Sequence, residues 1–380
     1  MANSCGEKTI GGSVMSTNIA QKRLKMCFTQ QLGDLALAID LDVPMQGITA
    51  IFGRSGAGKT SLVNVLSGLS HPDDGYIQLG DRVLFNSQQG IALSADKRNI
   101  GYVFQDARLF PHYTVKGNLN YGVKHADQQH FDDVVNLLGI APLLSRYPAS
   151  LSGGEKQRVA IGRALLTKPD MLLMDEPLAS LDMPRKQELM PYLEKLAKEV
   201  NTPIIYVTHS LDEILRLADS MVMLNQGKVL ISGHVNSVWS SPEMRPWLPA
   251  KEQSSLLSAR VNINHSRYAL TQVMLSHDAS LWVTQLPHQR GEWIRVRIFS
   301  NDVSIARHYP QASSIRNILA ARIDKIHHAE DERVEVKLRI GETHLWANIT
   351  AWAADELALK VGDQVFAQIK GVSVTKDDLA

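Results

Sequence analysis

Cysteine is nearly absent from this chain of 380 residues: there are only two, Cys5 and Cys27, and neither has a metal-ligand spacing. So few thiols exclude a disulfide framework and fit a reducing compartment. A surplus of charge is absent too. Lys+Arg number 40 and Asp+Glu 39, for a formal net charge of +1, which gives no overall electrostatic case for a nucleic-acid partner. No apolar run reaches the ~18 to 20 residues needed to span a bilayer. The N-terminal MANSCGEKTIGGSVMSTN has neither the basic start nor the apolar stretch of a secretory signal. Low-complexity tracts, short repeats and sustained heptads are also missing. What remains is a chain long enough for two domains, expected in the cytoplasm and reaching a membrane only through a partner that spans it.

One stretch organises the rest. IFGRSGAGKTSLVN, at 51–64, follows the largely apolar GITAIF of 47–52 and contains Gly53, Arg54, Ser55, Gly56, Ala57, Gly58, Lys59 and Thr60. This is the G-x-x-x-x-G-K-[ST] phosphate-loop pattern. Its glycines let successive N–H groups turn inward as a nest for phosphate oxygens, and Thr60 and Ser61 open a helix whose positive end adds attraction. Lys59 can place its ammonium on the β- and γ-phosphates, and the Thr60 hydroxyl can ligate Mg²⁺. Taken alone, the pattern also fits a Gly-rich turn between a strand and a helix.

Residues 1–20 are polar and aperiodic, so a disordered lead is expected there, with Met15 and Met26 as alternative starts. Segments 23–29 and 35–43 read as strands around a turn at 30–34, and 76–79 and 82–85 resume extended structure. A strand at 99–105 ends on Gln105, and helical spacing follows at 131–140 and 154–166. MLLM at 171–174 and IIYV at 204–207 suit parallel strands buried on both faces, joined by a helix at 186–200. A helix at 211–218 then precedes a hairpin, 221–224 with 228–231, around Asn225-Gln226-Gly227. Prolines clustered at 240–255 mark a boundary between units expected at 21–250 and 251–380. Beyond it helices nearly vanish. Segments 293–299, 334–340, 345–350 and 365–369 read as short strands of a small β-barrel.

Two further strings carry chemistry. MLLM ends in Asp175 and Glu176, where a carboxylate at a strand end suits a water-mediated contact to Mg²⁺ and the next one suits polarising a water. LSGGEKQR at 151–158 places serine and two glycines at a helix start, a second anion-binding cradle that one nucleotide does not need from the same chain.

The sequence resembles the ABC-transporter ATPase family over roughly residues 20–235, with all the family's motifs in order: the phosphate loop, Gln105, LSGGEKQR, Asp175-Glu176, Ser180-Leu181-Asp182 and His209. The resemblance implies an α/β fold: a P-loop ABC ATPase cassette with a RecA-like core, an antiparallel β subdomain and a helical subdomain. It implies ATP and Mg²⁺ as cofactors, with Glu176, His209 and Gln105 as catalytic residues and Thr60, Gln105 and Asp175 around the metal. It implies head-to-tail homodimers, in which Ser152, Gly153, Gly154 and Asp182 of one copy close on ATP held by the other. Relatives often stack adenine on an aromatic in the turn after the first strand. Residues 30–34 contain none, and Phe28 faces either the base or the core. Phe110, Pro111 and His112 form either a docking step for a membrane subunit or core packing.

SSIRN at 313–317, LWANIT at 345–350 and IKGVS at 369–373 resemble the molybdate-binding Mop/TOBE module, a small all-β OB-like barrel with its core at about 311–376. Ser314, Arg316, Asn317, Thr350 and Lys370 then supply donors and cations for a tetrahedral dianion. With the ATPase motifs, nearly the full length of the chain after residue 20 resembles ATP-binding subunits of molybdate importers. That implies a pair of integral-membrane permease subunits, an extracytoplasmic molybdate-binding protein reached through them, no nucleic acid, and a peripheral place on the cytoplasmic face of the inner membrane. The competing readings are an importer ATPase for tungstate, sulfate or sugar, a soluble ABC ATPase of DNA repair or translation, an oxyanion-sensing regulator, and a barrel that only braces the dimer.

Overall fold

A computed structural model describes residues 23–328 and 333–372. The expected lead at 1–20 and Ser373 lie outside the described residues. Arg23–Leu32 (β1) and Leu35–Pro44 (β2) pair antiparallel with Leu32 opposite Leu35. The turn expected at 30–34 therefore shrinks to Gly33 and Asp34. The alternation Leu24, Met26, Phe28 carries on to Gln30, which is also buried, so the strand has no reason to stop. Phe28 is 2% exposed, so its ring belongs to the core.

Ile48–Phe52 (β3) runs into the phosphate loop and Lys59–Ser67 (α1). Asp74–Leu79 (β4), Arg82–Asn86 (β5) and Ile91–Ala92 (β6) extend the antiparallel part beside β1. Ala95–Arg98 (α2) then leads to Ile100–Val103 (β7), which stops before Gln105. Val115–Leu119 (α3), Gln128–Leu137 (α4) and Gly153–Leu166 (α5) make a helical layer whose apolar faces share one core with Met171–Asp175 (β8). Met183–Glu199 (α6) begins earlier than its expected start at 186. The Asp182 carboxylate accepts the Arg185 N–H as a cap, and Pro184 sits in the first turn, where a missing N–H costs nothing.

Ile204–Thr208 (β9), Leu211–Leu217 (α7), Ser220–Asn225 (β10) and Lys228–His234 (β11) complete this part. The sheet has eleven strands in the order β6-β5-β4-β1-β2-β11-β10-β3-β9-β8-β7. Strands β10, β3, β9, β8 and β7 are parallel neighbours. Every residue of β3, β8 and β9 is buried, as strands covered on both faces require. Consequently the loops after β3, β9, β8 and β7 emerge side by side at one edge, where open α/β sheets bind ligands.

Val235–Trp239 (α8) carries Trp239, fully buried, toward the all-β part. There Ser254–Asn264 (β12), Leu270–Met274 (β13), Ser280–Thr284 (β14) and Trp293–Phe299 (β15) form a sheet in the order β14-β13-β12-β15. Val303–Ala306 (β16), Asn317–His328 (β17), Arg333–Ile340 (β18), Thr343–Thr350 (β19) and Gln364–Ile369 (β20) form a second, in the order β16-β20-β17-β18-β19, with Ala351–Glu356 (α9) after β19. Both sheets contribute to one apolar core, a half-barrel arrangement. Two arginines fasten it to the rest. Arg295 on β15 donates to the Leu215 and Ala218 carbonyls at the end of α7 (2.7 and 3.0 Å), and Arg245 pairs with Glu335 on β18 at 2.6 Å while lying over Trp346. Among the described residues no helix is long and apolar enough to cross a membrane.

Candidate active site

The phosphate loop bends where only glycine fits. Gly58 caps α1 at φ +98°, and a Cβ there would lie 2.5 Å from the Leu37 side chain. Lys59 is 7% exposed and its ammonium donates back to the Gly53 and Arg54 carbonyls (2.9 and 3.3 Å), so the loop is stapled by its own cation. Ser55, Gly56 and Ala57 lie between these anchors, and Ser61 follows Thr60 in the first turn of α1. The Arg54 guanidinium lies over the Trp247 ring, 4.9 Å from its centroid.

Strands β8 and β9 bring the other groups to this loop. Thr60 Oγ1 donates to Asp175 Oδ1 at 3.4 Å. Glu176 has φ +47°, an uncommon conformation for a residue with a side chain, held by its N–H bond to the Val207 carbonyl at 3.0 Å. The twist places its carboxylate between two partners: Lys59 Nζ at 3.7 Å and His209 Nδ1 at 3.1 Å. Burial, with the Glu176 charge beside it, holds the Asp175 carboxyl above the usual range, against hydrogen bonds from Thr60 and Tyr102 that pull it down. Hard oxygen donors on Thr60 and Asp175 fit a small divalent cation.

Sequence reasoning missed Tyr102. Its hydroxyl reaches Asp175 Oδ2 at 3.3 Å or Asn64 Oδ1 at 3.4 Å, and burial and then Asp175 push the phenol well above its ordinary value. A polar-tipped aromatic on the strand next to the Asp-Glu strand was the available signal.

Gln105 is exposed just past β7. The adjacent Phe104 carbonyl accepts from Gln157 on α5 at 3.1 Å, tying the Gln105 turn to the helix that LSGGEKQR opens. Ser152 caps that helix in a reciprocal box: its Oγ accepts the Glu155 N–H (3.2 Å) while its own N–H reaches Glu155 Oε2 (2.7 Å). The Ser152 hydroxyl proton is left for another acceptor. Gly153 packs on Leu181, next to Asp182; a Cβ on Gly153 would come within 2.8 Å of that leucine. A Cβ on Gly154 would meet nothing within 4 Å. Thus Lys59, Thr60, Asp175, Glu176 and His209 converge within one chain. Ser152, Gly153, Gly154 and Asp182 form a second group around the starts of α5 and α6.

In the all-β part the predicted oxyanion residues divide. Ser314 and Arg316 are exposed in the loop before β17, beside a cleft of about 700 Å³ lined by residues 309–316 and Ile318. Lys370, exposed, follows β20, whose Ile369 lies opposite Asn317. The Asn317 side chain is spent elsewhere: it accepts from the Trp282 N–H (2.7 Å) and donates to the Trp282 carbonyl (2.9 Å), stitching the two sheets together. Thr350 stands opposite Arg333, at the far end of the sheet from Asn317, and caps α9 by accepting the Ala353 N–H. Within one chain Ser314, Arg316 and Lys370 therefore share an end, Asn317 ties the two sheets together, and Thr350 lies at the other end of its sheet.

Comparison with known proteins follows this division. The ABC transporter model matches residues 37–179 and the TOBE domain model residues 313–375. The molybdenum import ATP-binding protein ModC of Photobacterium profundum is 77% identical over 92% of this chain and 98% of its own length. The chain belongs to the molybdenum import ATP-binding proteins. The member of this family from Vibrio cholerae is 60% identical over 92% of the chain and 96% of its own length. Among solved structures, cbiO1 from Clostridium perfringens, part of the ABC transporter complex cbiONQ, superposes with a TM-score of 0.51 at 27% identity, covering 60% of this chain and 94% of its own. The ABC transporter match thus lies on the first fold unit, and the TOBE match on the second sheet of the half-barrel.

Proposed function

We propose that two copies of this chain, on the cytoplasmic face of the inner membrane, hydrolyse ATP with Mg²⁺ to drive molybdate through a pair of permease subunits fed by an extracytoplasmic binding protein. The observation that carries the reading is the Glu176 carboxylate held between Lys59 and His209 at the shared edge of β3, β8 and β9. Glu176 accepts a proton from the attacking water, His209 orients that water and the γ-phosphate, and Lys59 balances charge on the phosphates. Thr60 and Asp175, with Gln105 as the third member of the expected set, would hold Mg²⁺, which would supply Lewis-acid charge neutralisation. Residues 53–61 hold the phosphates of one ATP. Ser152, Gly153, Gly154 and Asp182 of the other copy close over it, which gives the second cradle its purpose and explains the clear space beside Gly154.

Residues 21–250 serve as the nucleotide-binding unit and 251–380 as the oxyanion-responsive unit. Ser314, Arg316 and Lys370 offer a dianion two cations and a hydroxyl, and Thr350 joins them only from a second copy. The aromatic step of half-buried Phe110 and exposed His112, Tyr113 and Tyr121, whose rings pack on one another, is the permease-facing surface.

The test is Glu176→Gln in membrane vesicles containing the permease. ATP binding is retained while molybdate uptake and phosphate release fall by roughly 10²-fold or more, the scale of losing a general base. Rapid hydrolysis by this variant refutes the assignment.

A further inference from the structure

His209 raises a question of orientation. Its ring is 60% exposed, with Glu176 at 3.1 Å as its hydrogen-bonding partner. An exposed imidazole is aimed mainly by its backbone, so the peptide units on either side of residue 209 decide where the ring points. The second of them, the 209–210 unit, is pinned by one side chain. Thr208 Oγ1, which is 2% exposed as a residue, accepts the Ser210 N–H at 3.0 Å and donates its own proton to Glu213 Oε2 at 2.7 Å.

Glu213 is 5% exposed, and its oxygens also receive the Tyr206 hydroxyl at 2.9 Å and the Lys186 ammonium at 3.9 Å. Its N–H closes the loop by donating to Ser210 Oγ at 3.4 Å. Burying a carboxylate costs several kcal/mol unless it is paired well, and an ion pair at this distance is a loose one. Apolar side chains would fill the same volume more stably. A buried charge kept under those terms points to a geometric task.

We infer that Glu213, acting through Thr208, is a positioning residue that fixes the His209 turn so that its imidazole faces Glu176. The inference rests on the assignment of His209 and Glu176 to hydrolysis. It also ties that turn to the second cradle: Lys186 stands one turn into α6, the helix capped by Asp182, so the switch turn and the partner-facing loop share an anchor.

The experiment compares Thr208→Val, Thr208→Ser and Glu213→Gln in the full chain, measuring kcat, ATP affinity by equilibrium dialysis, and melting temperature. Thr208→Val keeps a β-branched shape on a strand and removes only the hydroxyl. It lowers kcat by roughly 10- to 100-fold, the scale of misplacing a reacting group. ATP affinity stays within about 2-fold, because an interaction made only in the transition state is the one removed. Thr208→Ser restores most of kcat, and Glu213→Gln falls in line with Thr208→Val. A merely structural role lowers the melting temperature of Thr208→Val and leaves kcat of the folded enzyme unchanged, which overturns the inference; so does a Thr208→Ser as slow as Thr208→Val. His209→Ala and Glu176→Gln, measured alongside, separate the two levels. If they turn over normally the underlying assignment fails, whereas if they are dead and Thr208→Val is fast only the positioning role fails.

Discussion

Gly154→Ala separates the needs of the folded chain from those of the assembled machine. Within one copy the substitution has nothing to strike, since a Cβ at 154 has no neighbour within 4 Å, and the residue sits in the first turn of α5 at an ordinary φ. Replacing glycine by alanine in a helix stabilises by up to about 1 kcal/mol through lower unfolded-state entropy. The chain alone should therefore melt at the same temperature or roughly 1–3 °C higher. In the dimer proposed above the added methyl would stand where the partner's phosphates approach this helix start. A charge-assisted N–H bond is worth about 1.5–3 kcal/mol, so each one lost costs roughly 10- to 100-fold in rate. Gly153→Ala is the control in the opposite sense, because its Cβ would come within 2.8 Å of the Leu181 side chain, which must shift to make room. The assay pairs a thermal melt without nucleotide with steady-state phosphate release. A Gly154→Ala chain that hydrolyses ATP at the unaltered rate, or one that melts well below the unaltered chain, refutes the reasoning.

Further outcomes follow from single contacts. Asp175 is held above the ordinary carboxylate value of 3.8, so the folded chain binds its proton more tightly than the unfolded one and stability falls as pH rises through that window. Asp175→Asn should raise the melting temperature of the nucleotide-free chain at neutral pH while abolishing the stabilisation given by Mg²⁺ with ATP. Arg98 is fully buried and donates to the Val65, Leu66 and Leu93 carbonyls (2.7, 2.9 and 2.8 Å), two of them at the carboxyl end of α1. Arg98→Met should cost about 2–4 kcal/mol by removing the donor from those carbonyls, of which only Val65 keeps a second, the Gly68 N–H, read by denaturant unfolding. Arg316→Ala should weaken calorimetric binding of molybdate to the full chain without shifting its melt, because Arg316 is exposed and its recorded bond is to the Ser313 carbonyl. Unchanged binding would argue against an oxyanion site in that loop.

How far the sequence could be read depended on what each segment had to satisfy. Strands β3, β8 and β9 were plain because burial on both faces demands continuous apolar runs, and the motifs at their ends were legible through the family resemblance. Strand β17 was missed. Its buried positions Leu319, Ala321 and Ile323 alternate correctly, but alanines and charged residues dilute the signal. Helix α6 was begun too late because its start is fixed by the Asp182 cap and Pro184, ahead of the periodic residues. The left-handed Glu176 was invisible, since nothing in MLLMDE announces a backbone conformation imposed by the neighbouring strand. For the oxyanion set, composition identifies suitable donors, whereas the register of β17, β18 and β20 decides which of them share an end of the sheet.

The central claim is that each active centre is finished by the other copy, and one measurement meets it directly. Lys59→Ala disables the phosphate loop of a copy, and Gly154→Asp places a carboxylate where its partner's phosphates approach. Each variant expressed alone should be inactive. Co-expressed, they form mixed dimers in which one centre joins an intact phosphate loop to an intact Ser152–Gly154 turn, so turnover should return to about a quarter of the unaltered level from a random mixture of pairs. Turnover by either variant alone, or none from the mixture when mixed dimers are isolated, would contradict the account.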